Sequence, residues 1–471
     1  MRGSIQPGRL TRSRRARLLA AGLLLGVVSV AGCTGSSGAT GRGAATPAGA
    51  VSGCLLPPAS CYAPHVFRVA YGIQPLLDRG IDGRGKTVTV LVAAPSAHAL
   101  AGPDDTGIRQ DLAAFDRMFR LPAARIQVVT TLAGAASPGQ ASIEEVEDLE
   151  IVHMVAPAAA LRVVLMPANV MESAATATAD MIAALPLAVS RTDVTSISWI
   201  AGEQFFTKAQ VAEMHSVLLG AAARHVTVDA SSGDAGASSA PVWGSPVKEV
   251  GFPASDPLVL AVGGTTLTAR PVTGAYIGET AWGGTSSPTG LASGGGFSHL
   301  YARPAYQDDV PGISTARGVP DVAADAGQPG LTIVVAIGGR TSIIASGGTS
   351  ASAPLWGGLM ALADQYAHHD LGFVNPAIYA IARSPAYHQA FRDVVTGDNS
   401  VFWPTRLFTG YQAGPGWDPV TGWGSPNAQV LVPLLAHKTH PGGAIEAGGR
   451  GQAVTSAVVK RAQATDVKMT A

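Results

Sequence analysis

The chain has 471 residues, of which 57 are glycine and 14% are charged, and its formal net charge is zero. Ordinary soluble proteins carry about 25% charged residues, so this composition argues against charge-driven disorder and against a nucleic-acid binder with a basic patch. Three cysteines, Cys33, Cys54 and Cys61, are too few for a disulfide scaffold, and no CxxC pair indicates a zinc site.

The zero net charge hides an acidic central region. Residues 1–33 carry six arginines and no acid, and residues 438–471 carry five basic and two acidic residues. Residues 54–437 carry 20 basic and 30 acidic residues, a net charge of −10. An acidic region with few charged residues suits work at low pH, where many carboxyls are neutral.

The first 33 residues are typical of an export signal. Arginines between positions 12 and 17 precede an apolar run at 18–31, which is shorter than the roughly 20 residues of a membrane-spanning helix. The run ends in Val-Ala-Gly-Cys33, which resembles the lipobox of bacterial lipoproteins and implies that Cys33 is lipidated; an ordinary secretion signal is the alternative. We therefore expect an exported protein, anchored by lipid to the outer face of a bacterial membrane or secreted.

Three further regions follow the signal. Residues 34–53 are rich in Gly, Ala, Ser and Thr and are expected to form a flexible linker. Cys54 and Cys61 are expected to form a disulfide, because the compartment is oxidising and no other cysteine remains. Residues 54–437 are expected to form the folded domain, and the Gly/Ala-rich residues 438–471 a disordered tail.

Apolar strands alternate with helical patterns from about residue 62 onward. This alternation predicts βαβ crossovers, and therefore an α/β fold in which helices cover both faces of a parallel sheet. The strands are predicted at 86–92, 160–165, 194–199, 226–230, 258–262 and 331–337, and the helices at 108–119, 143–155, 171–185, 210–224 and 351–366.

A glycine turn and a helix start surround Ser350, in the segment SGGTSASAP at 346–354. The free N–H groups and the dipole of a helix N-terminus stabilise developing negative charge, which suits a nucleophile; a plain helix N-cap is the alternative. The segment resembles the nucleophile motif of subtilisin-like peptidases. None of the eleven histidines lies in a segment that would supply the base of such a peptidase.

Carboxyls offer a different base. Glu144 and Asp148 are four residues apart on a predicted helix, so one helix face presents both. An acidic first turn that complements the helix dipole is the alternative. Asp234 lies in a glycine turn directly after the strand at 226–230, where α/β sheets place their sites, with a simple Asx turn as its alternative.

Together these segments resemble the sedolisin family of serine-carboxyl peptidases, over about residues 61–435. The resemblance implies a subtilisin-like parallel sheet flanked by helices, in a single catalytic domain. It also implies that Ser350 is the nucleophile, that Glu144 is the base oriented by Asp148, and that Asp234 serves the oxyanion. Further matching segments are SISW at 196–199, GGGFS at 294–298 and GVPDV at 318–322.

The expected activity is acid-active hydrolysis of peptide bonds through an acyl-enzyme on Ser350, by a monomer acting on a peptide or protein. Asp234 can donate a hydrogen bond to an oxyanion only when it is protonated, and clustered acids raise one another's pKa values. The alternatives are a catalytically silent, sedolisin-like cell-surface binding protein and a serine hydrolase of non-peptide esters. A nucleic-acid partner is not expected.

The resemblance further implies one structural calcium ion. The carboxyls of Asp393 and Asp418 and the carbonyls of Val394, Gly414 and Gly416 match the family's calcium ligands, and oxygen ligands of this kind suit Ca²⁺. Taken alone, such residues are more often ordinary turn residues. The family is usually made with a long N-terminal prodomain, whereas only residues 34–53 lie between the signal and the folded domain here, so the route of activation is left open.

Overall fold

The computed structural model describes residues 61–95, 106–130, 143–168, 174–238, 247–284, 290–337, 340–403 and 406–439. The predicted signal, the linker, Cys33 and Cys54 lie outside these residues, as does the predicted tail from residue 440 onward. Cys61 is disulfide-bonded. Within the described ranges no helix combines the length and the apolar character that crossing a membrane requires.

The described residues form helices and strands with the following bounds. The helices are α1 (Pro64–Ala70), α2 (Gln74–Leu77), α3 (Thr106–Phe119), α4 (Ile143–Val155), α5 (Ala174–Ala188), α6 (Lys208–Ala223), α7 (Thr349–Ala367), α8 (Asn375–Ala382), α9 (Tyr387–Ala390) and α10 (Ala428–Thr439). The strands are β1 (Cys61–Tyr62), β2 (Thr87–Pro95), β3 (Arg125–Thr130), β4 (Ala160–Ala168), β5 (Val194–Ile197), β6 (Ala201–Gly202), β7 (Thr227–Ser231), β8 (Gly251–Phe252), β9 (Leu260–Ala269), β10 (Tyr276–Ala281), β11 (Gly296–Ala302), β12 (Ala316–Val319), β13 (Val322–Asp325), β14 (Gly330–Ile337), β15 (Arg340–Ala345), β16 (Phe391–Arg392), β17 (Val401–Trp403), β18 (Arg406–Phe408) and β19 (Ser425–Pro426).

An eight-stranded sheet forms the centre of the molecule. Its strands β3, β4, β2, β5, β7 and β9 lie side by side in that order and run parallel. Strand β13 adds to β9 in parallel, and β10 pairs with β9 in the antiparallel direction. The predicted α/β class and the parallel sheet flanked by helices are thereby confirmed.

Alternate residues of the central strand β2 face two separate apolar cores. Val88, Val90 and Val92 pack into the core that includes α4 and α7, whereas Leu91 packs into the core that includes α5 and α6. All four side chains are fully buried. Helices therefore cover both faces of the sheet, which explains why its strands are apolar nearly throughout.

The predicted strand at 331–337 does not join the parallel sheet. It forms β14, which pairs antiparallel with β15 and pairs with β1 only at its start. The carboxyls of Glu150 and Asp111 accept hydrogen bonds from the β14 amides of Val334 and Ala336, at 2.8 and 3.0 Å. Carboxyls from α4 and α3 thus accept the hydrogen bonds that a neighbouring strand would otherwise accept along this edge of β14. Gly338 and Gly339, which lie between β14 and β15 in the sequence, are typical of a two-residue hairpin turn and could have indicated this pairing.

Helices α4 and α7 pack unusually close at Gly358. A Cβ built on Gly358 would lie 2.7 Å from the Cβ of Val155, which is closer than side chains tolerate. Glycine at this position lets the two helices approach. Since α4 carries the predicted acids and Ser350 is the second residue of α7, this contact helps to bring the two helices that carry those groups together.

Candidate active site

Ser350 is the second residue of α7 and the last residue of a tight turn, residues 346–350, which we name the nucleophile turn. Gly348, just before the helix, has a φ of 90°, a conformation that residues with side chains rarely adopt. A Cβ at Gly348 would also lie 2.6 Å from Oδ2 of Asp234. The turn therefore requires glycine at this position, and it brings the helix start against Asp234.

Pro354 leaves the carbonyl of Ser350 available for another partner. A proline inside a helix has no N–H with which to bond the carbonyl four residues earlier. Pro354 lies inside α7, and the Ser350 carbonyl instead accepts a hydrogen bond from Oγ of Ser198 at 3.3 Å. Ser198 directly follows β5, so the carboxyl end of a central strand helps to fix the nucleophile residue.

Glu144 lies in the first turn of α4, and its carboxyl lies close enough to the hydroxyl of Ser350 for the two to interact. The pKa of Glu144 is raised to about 7, chiefly because burial penalises the charged form. The interaction with Ser350 opposes this rise, and the charges of Asp234 and Glu145 add to it. A carboxylate with this pKa, in contact with a hydroxyl, is a suitable general base.

Asp148 lies one turn further along α4 and is fully buried. Burial raises the pKa of Asp148 well above its ordinary value, and the negative charges of Glu144, Glu147 and Asp229 raise it further. Two carboxyls that interact this strongly titrate as a group. Asp148 therefore belongs electrostatically to the same group as Glu144.

The carboxyl of Asp234 caps the N-terminus of α7. Its Oδ1 accepts hydrogen bonds from the backbone N and from Oγ1 of Thr349, at 2.8 and 2.7 Å. The same Thr349 Oγ1 accepts a hydrogen bond from the Gly233 amide at 3.0 Å. Burial raises the pKa of Asp234, while the bonds from Thr349 lower it. Because Oδ1 accepts both bonds, a proton on this carboxyl belongs on Oδ2, the oxygen beside Gly348.

All four residues predicted from the sequence thus meet at the N-terminus of α7. The sequence did not predict the roles of Thr349 and Ser198. The only available signals were that Thr349 carries a hydroxyl next to Ser350 and that Ser198 carries one at the end of a predicted strand. His153 is one of the histidines that the sequence does not favour as a base. It lies on α4 with its Nε2 3.0 Å from Oδ1 of Asp116.

The residues predicted to bind calcium lie around one loop. The amide of Gly416 donates to Oδ2 of Asp393 at 3.0 Å, and the amide of Gly414 donates to Oδ2 of Asp418 at 3.2 Å. Both carboxylates raise the pKa of Tyr387, so both lie near that hydroxyl. The loop therefore brings together the two carboxylates that the sequence placed 25 positions apart.

The donor set fits a hard divalent cation. Asp418 is buried, and this burial raises its pKa to about 6, so its charge lacks full compensation. Two carboxylates combined with carbonyl oxygens are the ligands that Ca²⁺ prefers. Across the described ranges no group of three or more His, Cys, Asp or Glu side chains could hold a metal. A site made of two carboxylates and backbone carbonyls has only two such side chains and would not form a group of that kind.

The raised pKa of Glu144 predicts that the folded state is more stable in acid. Its pKa rises from an ordinary 4.5 to about 7 on folding, so the folded state binds this proton more tightly than the unfolded chain. The resulting stabilisation, at most about 3 kcal/mol, is fully present below the unfolded pKa and is lost as pH rises through the folded one.

Thermal unfolding of the full chain at about pH 4 and pH 7 measures this effect. The Tm is expected to fall toward neutral pH, and to fall less in Glu144→Gln, which cannot ionise. A Tm that rises over this interval, or an equal slope in the variant, contradicts the assignment.

Known proteins resemble this chain over most of the described region, although no family model matches it. Kumamolisin of Bacillus sp. (strain MN-32) is 34% identical over 372 residues, which cover 76% of this chain and 61% of kumamolisin. Tripeptidyl-peptidase 1 of Macaca fascicularis is 29% identical over 345 residues, which cover 69% of this chain and 57% of that protein. The chain therefore spans about three fifths of the length of these relatives.

A solved structure shows the same fold. It is Pseudomonas sedolisin, a serine-carboxyl proteinase in complex with two molecules of pseudo-iodotyrostatin. The match has a TM-score of 0.66 at 28% sequence identity, and it covers 80% of this chain and 98% of the sedolisin chain. Together with the sequence relatives, this similarity shows that the chain belongs to the sedolisin family of serine-carboxyl peptidases.

Proposed function

We propose that the chain is an acid-active serine-carboxyl peptidase that hydrolyses peptide bonds of a peptide or protein through an acyl-enzyme on Ser350, acting as a monomer. The observation that carries this proposal is that the Ser350 hydroxyl, the Glu144 carboxyl that it approaches and the Asp234 carboxyl meet at the N-terminus of α7. A hydroxyl beside a base, at a helix N-terminus that favours negative charge, is the arrangement that an activated nucleophile needs.

The residues divide the proton transfers among them. Oγ of Ser350 attacks the peptide carbonyl carbon, and its proton passes to the Glu144 carboxylate, which Asp148 orients from the next turn. The negative oxygen of the tetrahedral intermediate accepts a hydrogen bond from protonated Oδ2 of Asp234. Glu144 then gives its proton to the departing amine. Water repeats the sequence on the acyl-enzyme, releases the acid product and restores the hydroxyl of Ser350.

The acidic working range follows from the number of protons that the carboxyls hold. Glu144 must be ionised to accept a proton, whereas Asp234 must keep its proton to donate a hydrogen bond. Repulsion between neighbouring carboxyls prevents all of them from ionising together, so the group has shared, macroscopic pKa values. Activity is therefore greatest where the group has lost some of its protons and kept the others.

The activity is tested on a mixed peptide library across pH. We expect cleavage at about pH 3–5, and Ser350→Ala and Glu144→Gln are each expected to lower kcat/KM by about 10³-fold or more. Ser352→Ala is the matched control on the same helix, because Oγ of Ser352 donates to the carbonyls of Ala324 and Asp325, at 3.0 Å each, and not to the site.

Each rival predicts a different result in that experiment. Absence of cleavage by calcium-loaded protein over about pH 2–7 would reject the peptidase and favour a silent binding protein. Ester cleavage without peptide cleavage would favour the esterase. The cleavage sites in the library also define the preferred substrate residue and separate endopeptidase from tripeptidyl-peptidase action.

We further propose one structural calcium ion, bound by the carboxyls of Asp393 and Asp418 and the carbonyls of Val394, Gly414 and Gly416. The convergence of the two carboxylates on one loop and the incompletely compensated burial of Asp418 support it. Such an ion would neutralise the two carboxylates and stiffen the loop, and it takes no part in the proton transfers.

Chelation tests the calcium proposal. Removing an ion present at a hundredfold excess over its Kd should cost about 3 kcal/mol of folding free energy and lower the Tm. Asp418→Asn should start from a lower Tm and not respond to the chelator, whereas Asp398→Asn, a nearby acid whose Oδ1 accepts from the Ser400 amide, should respond like the wild type. An unchanged wild-type Tm after chelation would reject the site.

We also propose that the protein is exported and anchored through lipidated Cys33. The support is the basic segment, the short apolar run and the lipobox-like ending. Mass spectrometry of the mature N-terminus is expected to find Cys33 as the first residue, carrying lipid, and Cys33→Ser should move the protein out of the membrane fraction. An unmodified N-terminus at another residue would contradict this proposal.

A further inference from the structure

Glu147 is a buried carboxyl that the proposed reaction does not use. It lies on α4 between Glu144 and Asp148, and only 2% of its surface is exposed. Its Oε1 accepts a hydrogen bond from the hydroxyl of Ser346. Burying a carboxyl this deeply costs free energy unless a partner compensates, so this pair is an unusual feature beside the site.

Ser346 is the first residue of the nucleophile turn and is fully buried. Its backbone N–H donates to the carbonyl of Leu331 at 2.7 Å. The backbone of Ser346 is therefore attached to β14, while its side chain is attached to α4. Because Ser350 lies only four residues later, the Glu147–Ser346 bond helps to set the distance between the helix that carries Glu144 and the turn that carries the nucleophile.

Within the described part of the chain, the charged groups that face Glu147 are acids. Burial, followed by the charge of Glu144, raises the pKa of Glu147 well above its ordinary value. Any charge on Glu147 would therefore act directly on the proton balance of the site. The facing acids are Glu144, Asp148 and Glu150 on α4, and Asp234 from the loop after β7.

We propose that Glu147 is a positioning residue, which holds the nucleophile turn against α4 through its hydrogen bond with Ser346. This inference rests on the proposed peptidase function. Because Ser350 lies four residues after Ser346, loss of this bond would let the hydroxyl of Ser350 move away from Glu144 without removing a contact to the substrate.

The conservative variant tests whether the hydrogen bond is what matters. Glu147→Gln keeps an Oε1 acceptor for the hydroxyl of Ser346 but carries no charge. Its kcat at the acidic optimum should stay close to that of the wild type, whereas variants that lose the bond should not keep it. A kcat as low in Glu147→Gln as in Glu147→Leu would overturn the role of the bond.

Removing the bond tests the positioning role. Glu147→Leu and Ser346→Ala should each lower kcat by about 10–100-fold, with little change in KM, because neither residue touches the substrate. The double variant should lose little more than either single variant, as expected for two partners in one interaction. Additive losses, or wild-type kcat in both single variants, would overturn this role.

Glu150→Leu is the matched control, because it makes the same acid-to-leucine change as Glu147→Leu on the same helix. Oε2 of Glu150 accepts from the Val334 amide, so this residue faces β14 rather than the nucleophile turn. Its kcat should stay close to that of the wild type. A loss of kcat as large as that of Glu147→Leu would show a general effect of removing acids from α4 and overturn the specific role of Glu147.

The assay separates failure of this inference from failure of the proposed function. A wild type that cleaves no peptide rejects the peptidase itself, whereas an active wild type with unaltered kcat in Ser346→Ala and Glu147→Leu rejects only the role of Glu147. Circular dichroism at the assay temperature checks folding, and if Glu147→Leu does not fold, Ser346→Ala decides the outcome. A lower Tm with unchanged kcat in Ser346→Ala would indicate a purely structural pair and overturn the positioning role.

Discussion

The site depends on one constraint, which is that the acids of α4 are buried among other acids. Glu144, Glu147, Asp148 and Glu150 are all buried along this single helix. A buried carboxylate without a counter-charge is far more costly than the neutral acid, so burial itself favours protonated forms. Chemistry in such a site must come from distributing a few protons over many carboxyls. This differs from a Ser-His-Asp site, where a histidine carries the mobile proton.

The same constraint explains why the nucleophile turn is held from several directions. Mutual repulsion would separate carboxyls that were not fixed by their surroundings. The Asp234 carboxyl caps α7 from the end of β7, and Ser198 bonds the Ser350 carbonyl from the end of β5. The close approach of α4 and α7 at Gly358 supplies the third restraint. Placing these contacts at the carboxyl ends of parallel strands uses the most rigid part of the fold to hold groups that repel one another.

The fold and the four site residues, Glu144, Asp148, Asp234 and Ser350, could be predicted from local signals. Hydrophobic periodicity and glycine turns are each visible within a few neighbouring positions of the sequence. The predicted helix at 143–155 coincides with α4, and the predicted helix at 351–366 lies within α7. What the sequence could not supply were relations between distant segments. The strand at 331–337 is one case, since the acids that occupy its edge come from α3 and α4, far away in the sequence. The Glu147–Ser346 bond is another, because it joins residues 199 positions apart.

Packing also connects the proposed calcium loop to Asp234, the proposed oxyanion acid. Oγ of Ser293 donates to the carbonyl of Val420 at 2.8 Å, at the end of the loop that contains Asp418. A Cβ on the next residue, Gly294, would lie only 2.0 Å from the carbonyl of Ser232, two residues before Asp234. A single layer of glycine-rich chain thus separates the loop from the segment that places Asp234. An ion that stiffens the loop would therefore also limit the movement of this segment, so stability of the loop and placement of the oxyanion donor are properties of one packed unit.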